Sequence, residues 1–182
     1  TTPRSNRRQR QMCIRDRVLP DPRRAPIPAA AWHHQQQLLG EMAELVNDIH
    51  RSTMQLRAVA AQSKQAMEAT VSNSQSEAIA TLGQALIDRI EAWEIHVPQP
   101  PLPDDVQDRI AFPSRLLSTQ VLHVIGAIDQ DPPVSEGSEL RARELTEQWA
   151  QIKAEFQDIV DEDLAALNAV LSDARVPHIA AL

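Results

Sequence analysis

His33 and His34, with Trp32 before them and Gln37 one helical turn on, are the residues whose types first invite a metal ion. Zinc bound by one helix needs histidines at i and i+4 with an acidic third ligand, as in HExxH, and no such spacing occurs. Adjacent side chains on a helix point about 100° apart, so the pair reads as a solvated helix start in preference to a ligand pair. His50, His96, His123 and His178 stand singly and read as structural or exposed. The acidic run Asp158-Ile159-Val160-Asp161-Glu162-Asp163 lacks the glycine turn and alternating ligands of a calcium loop. Its apolar spacing continues straight through, which makes the acids a solvated helix face. Paired carboxylates for glycoside hydrolysis are not marked out by any local pattern. Four glycines are too few for a phosphate loop or dinucleotide fingerprint. Gly137-Ser138 lies at a helix start, and no GxSxG elbow exists. Trp93 and Trp149 fall on helical stripes, where core anchoring is favoured over a ligand platform. The expectation is therefore no catalytic, cofactor-binding or metal-ligating residue, and no cofactor.

Residues 7–17, RRQRQMCIRDR, resemble residue for residue the translation of one reading frame of a transposase-based sequencing adapter. Residues 1–17 are accordingly expected to be non-native and extended, with the rest a piece of a longer gene. This changes what composition bounds. Six of the 18 basic residues (Arg4, Arg7, Arg8, Arg10, Arg15, Arg17) lie there, but only one of the 25 acids, Asp16. The remainder carries 12 basic and 24 acidic residues, a net of −12, which repels phosphate backbones and argues against a nucleic-acid partner. Cys13, the only cysteine, is also in that segment, which removes disulfides, thiolate zinc and cysteine nucleophiles from consideration. No apolar run approaches the ~18 residues needed to span a bilayer, so membrane insertion is not expected.

Abundant Ala, Leu, Gln and Glu, two Phe and no Tyr predict an all-α chain. Residues 18–28, with four prolines, read as an extended connector. A first helix of ~40 residues, about 60 Å long, is predicted from Ala29 to about Thr70. Leu38, Met42, Leu45, Ile49, Leu56, Val59 and Met67 form its stripe. Ser72-Asn73-Ser74 predicts a turn. The second helix carries Ile79, Leu82, Leu86, Ile90, Trp93 and Val97 and stops at the proline-rich residues 98–103. A short turn is expected over 104–112, and Pro113 reads as the first residue of a third helix with Leu117, Val121, Val124 and Ile128 buried. Asp131-Pro132-Pro133 separates it from a fourth, starting near Ser135 and ending before Val176-Pro177. Leu145, Trp149, Ile152, Phe156, Ile159/Val160, Leu164, Leu167 and Leu171 mark that helix's stripe. An up-and-down antiparallel bundle of about four helices over 29–179 follows, the long first and fourth framing the shorter pair. Those two long stripes could alternatively mate with another chain as a coiled coil.

The order of segments VLPDPR (18–23), LLGEMAELVNDIHRSTMQLR (38–57), FPSRLLSTQVLHVIGAIDQDPPVSEG (112–137) and DLAALNAVLSDARVPHI (163–179) resembles a known family. It is similar to the carboxy-terminal helical region of bacterial sortilin-like, BNR-repeat β-propeller proteins, often described as glycosyl hydrolases. The closing pattern is carried by Leu167, Asn168, Leu171, Pro177 and Ile179. The resemblance implies an exported parent, periplasmic or extracellular. Its β-propeller and β-sandwich would precede this chain and serve as partners for it, unless another protein subunit does so. The propeller's Asp-box motif, S-x-D-x-G-x-T-W, is absent here, and no catalytic position of the family maps onto this chain. A free-standing oligomerising or partner-binding bundle is the second expectation.

Overall fold

The structure, a computed structural model, describes residues 23, 26–72, 74–97 and 116–181. Helix α1 spans Ala29–Ala69, α2 Ser76–Glu94, α3 Leu117–Ile128 and α4 Glu136–Asp158. A π-helical turn, Ile159–Leu164, joins α4 without a break to α5, Ala165–Asp173. Among the described residues there is no strand, and the chain is an all-α bundle. The expectations for residues 1–17, for most of the 18–28 connector and for 98–115 lie outside the described residues.

Cross-links between elements establish the directions. Arg57 on α1 pairs with Glu94 on α2, and Met67 lies over Gly83, so α2 runs antiparallel to α1. Gln35, near the start of α1, reaches Ile128 at the end of α3, so α3 is antiparallel too. His34 meets Glu139, Asp48 meets Trp149, and Gln62 meets Ala180. That ascending order makes α4 and α5 parallel to α1. The long helices are therefore two rails with the same direction, and α2 and α3 form a third, opposed rail laid end to end. At their junction the Ser118 amide donates to the Val97 carbonyl at 3.2 Å. This contact supplies one amide at the start of α3, and Leu116 before it is extended (φ −73°, ψ 166°). The described helix accordingly begins at Leu117.

The spacing of buried positions explains the rails. Along α1 and its C-cap, Met42, Leu45, Ile49, Ser52, Leu56, Val59, Ser63, Ala66 and Thr70 are buried at alternating steps of three and four, with Val46 and Thr53 buried beside them. That is a heptad repeat, which keeps one seam against neighbouring helices. The sequence stripe passed from Val59 to Met67, but small residues carry the seam at its far end. Ser63 and Thr70 donate to the carbonyls of Val59 and Ala66, so their hydroxyls enter the core satisfied. Met67 instead sits half-buried over Gly83. A Cβ there would lie 2.7 Å from its sulfur, so glycine permits this close approach.

On the other rail, Ala142, Leu145, Trp149, Phe156, Ile159, Leu164, Leu167 and Leu171 are buried. One step is anomalous: Ile159 to Leu164 is five residues. In an α-helix that step turns the side chain about 140° off the seam. The π turn absorbs the extra residue and returns Leu164 to the core, so the helix does not run on as a plain α-helix. At the other end, Ser135 caps α4, its Oγ accepting from the Ser138 amide at 3.1 Å. After α5 the amides of Arg175 and Val176 donate to Ser172 and Leu171, the paired bonds of a Schellman turn. Arg175 occupies the left-handed position of that turn at φ 58°.

Candidate functional site

The sequence candidates are dispersed over the bundle. His33 and His50 are exposed well apart on α1, His96 just past α2, His123 on α3 and His178 after α5. His34 Nε2 lies 2.7 Å from Glu139 Oε1, tying the start of α1 to the start of α4. Gln37 turns away from it and donates to Glu41 on its own helix at 2.8 Å. Asp158, Asp161 and Glu162 are exposed around the π turn, while half-buried Asp163 accepts from Arg89 of α2. Ser138 faces Ser135 in the cap, with the hydroxyls 2.9 Å apart. Among the described residues no group of three or more His, Cys, Asp or Glu is placed to hold a metal ion. No described helix is long and apolar enough to cross a membrane.

The structure does bring together one polar and aromatic junction, on the seam between α1 and α4. Trp149 is buried, and its indole Nε1 donates to Asp48 Oδ2 at 2.9 Å. Lys153, one turn on, donates to Asp48 Oδ1 at 3.0 Å and to Ser52 Oγ at 2.9 Å. Its ammonium lies 4.7 Å from the Phe156 ring centroid and 5.6 Å from that of Trp149, within cation–π range. Trp93 of α2 completes the cluster, edge-on to Trp149 at 6.3 Å and tilted against Phe156 at 6.1 Å. Its own Nε1 donates to the Ile152 carbonyl at 3.0 Å. Burial alone would raise the Asp48 pKa. The hydrogen bonds from Lys153 and Trp149 and the charges of Lys153 and Arg51 outweigh it, and the carboxyl is held below its ordinary value. Beside this junction is an open depression of about 480 Å³, lined by Glu41, Glu44, Leu45, Asp48, Arg51, Thr146 and Trp149. Every polar group of the junction is occupied by a protein partner, so its chemistry is that of a helix–helix fastener.

Three amide side chains, Gln35, Gln62 and the Asn168 of the closing pattern, have equally definite placements. Gln35 is only 2% exposed. Its Nε2 donates to the Ile128 carbonyl at 2.7 Å and also to the Gln130 carbonyl, satisfying acceptors left over at the end of α3. The available signal was phase, since 35, 38 and 42 continue the three–four spacing of α1. Asn168 accepts from the Ile179 amide at 2.8 Å and donates to the Ile179 carbonyl at 2.9 Å. Gln62 makes the same two-way contact with Ala180, at 3.4 and 3.2 Å.

No family model, curated protein or solved structure matches this chain.

Proposed function

We propose that this chain is a non-catalytic helical packing and interaction module of a larger, exported β-propeller protein. It would use its helix faces to pack on the propeller, on the β-sandwich or on another subunit. The observation that carries this reading is the closing pattern of the sequence, Leu167, Asn168, Leu171, Pro177 and Ile179. Leu167, Leu171 and Ile179 are buried together in one core, and Asn168 holds the backbone of Ile179 on both its polar atoms. The residues that motivate the resemblance thus belong to one physical unit, which supports treating them as a motif.

The test is the source DNA across the Arg17/Val18 junction. A frame that continues upstream into a β-sandwich and Asp-box repeats is the expected result. Native DNA that encodes RRQRQMCIRDR, or a gene that begins near Val18, would overturn the propeller reading.

A second reading, a free-standing oligomerising or partner-binding bundle, is favoured by Met54, Ile95, Leu122 and Leu140, large apolar side chains 52–66% exposed. Light scattering separates the two, because this reading requires a mass that rises with concentration and a constant monomer eliminates it.

A further inference from the structure

Three methionines lie along α1 at graded depths. Met42 is 2% exposed in the core, Met54 is 62% exposed, and Met67 is half-buried against the core. Beneath Met67 is Gly83, buried inside α2. A Cβ there would lie 2.7 Å from the Met67 Sδ, 2.9 Å from its Cγ and 4.0 Å from its Cε. The thioether end of the side chain therefore rests directly on the backbone of α2. Donors adjoining that contact are already engaged. The Gly83 amide belongs to the interior ladder of α2. One turn to either side of Met67 on α1, the Ser63 and Thr70 hydroxyls donate to backbone carbonyls. Glycine also has no side chain with which to fill the place of a departing Met67, so its loss leaves a void between the helices.

We propose that Met67 is a peroxide-responsive clasp between α1 and α2, released by oxidation of its sulfur and reset by reduction. Hydrogen peroxide delivers its distal oxygen to Sδ as the O–O bond breaks; an S=O bond forms and water leaves. The sulfur loses two electrons and the peroxide gains them. The sulfoxide is polar and carries an acceptor oxygen. Against Gly83 that oxygen has no donor, and an unpaired buried acceptor is costly, so the side chain turns out to solvent. The void over Gly83 then loosens the end of the bundle where α1 passes to α2. Sulfoxide reductases return the thioether at the expense of two thiols, releasing water and a disulfide. Met54 already stands in solvent, so its oxidation costs no packing, and Met42 is shielded by the core. The inference stands whether or not the chain is part of a propeller protein.

The experiment titrates the full chain with hydrogen peroxide, assigns sulfoxide to each methionine by peptide mass spectrometry, and records Tm on the same samples. Met54 is expected to oxidise first with Tm unchanged. Tm should then fall by about 4 °C or more in step with the Met67 sulfoxide fraction, ahead of any oxidation of Met42. A mixture of sulfoxide reductases acting on both epimers, with dithiothreitol, should restore the original Tm. M67L should keep its Tm through the same peroxide doses, whereas M54L should lose stability as the unsubstituted chain does. Four results would each overturn the proposal: Met67 oxidised no sooner than Met42, an unchanged Tm at full Met67 sulfoxide, an equal fall in M67L, or a fall that the reductases do not reverse. Should M67L not fold, the dependence of Tm on Met67 sulfoxide against Met54 sulfoxide in the unsubstituted chain decides.

Discussion

Asp48 shows at the scale of one residue how an ionisable group is committed to structure. It accepts from an indole and an ammonium on the facing helix, and its carboxyl titrates below its ordinary value. A carboxyl depressed by folding contributes stability above its unfolded pKa and loses it as pH falls through the folded one. The junction should therefore hold α1 to α4 at neutral pH and loosen on acidification below the ordinary carboxylate range. Asp48→Asn keeps an acceptor for Trp149 but removes the ion pair. With Asp48 36% and Lys153 30% exposed, solvent screening limits the expected loss to about 1 kcal/mol at pH 7. Urea melts of both proteins should converge as pH falls through that range. A difference that persists unchanged into acid would show that the ionised pair is not its source.

Two local devices act at the scale of the element. The π turn exists because Ile159 and Leu164 are five residues apart, one more than an α-helical seam accepts. Deleting exposed Glu162 restores a step of four, keeps Asp163 next to Leu164, and should give an uninterrupted α-helix. The expected outcome is an unchanged or higher Tm with helical circular dichroism retained; loss of cooperative melting would mean that the turn has a role beyond phase. Arg175, at φ 58°, bears the strain of a left-handed position that glycine adopts freely. Arg175→Gly should therefore stabilise by about 0.5–1 kcal/mol in denaturant melts, and any destabilisation would indicate that the arginine side chain makes a needed contact.

At the scale of the molecule, two parallel rails and one opposed rail are joined by a small number of cross-links, and Trp93 is the central one. It packs on Trp149 and Phe156 and bonds the Ile152 carbonyl, so α2 is fastened to α4 by both area and a hydrogen bond. Trp93→Ala should cost about 3–5 kcal/mol, read from urea melts. A loss below about 1 kcal/mol would show that the rails are held elsewhere. Much of this architecture was legible in the residues: Leu38 to Val59 and Leu145 to Leu171 declare their helices by spacing alone. Periodicity is a local consequence of 3.6 residues per turn, so helix existence and the buried face of each follow from sequence. Hydrophobic identity also located Trp93 and Trp149 on those faces. The directions of α2 and α3, the choice of Ile159 over Val160, and the use of Ser63 and Ala66 in the seam depended on which neighbour each face met. So did the partners of Gln35, Asn168 and Gln62, which lie 93, 11 and 118 residues away along the chain. A polar side chain can be satisfied in many ways, and its spacing does not say which. Only folding brings one donor to one acceptor, so the helices were written in the sequence while the fasteners between them belong to the tertiary structure.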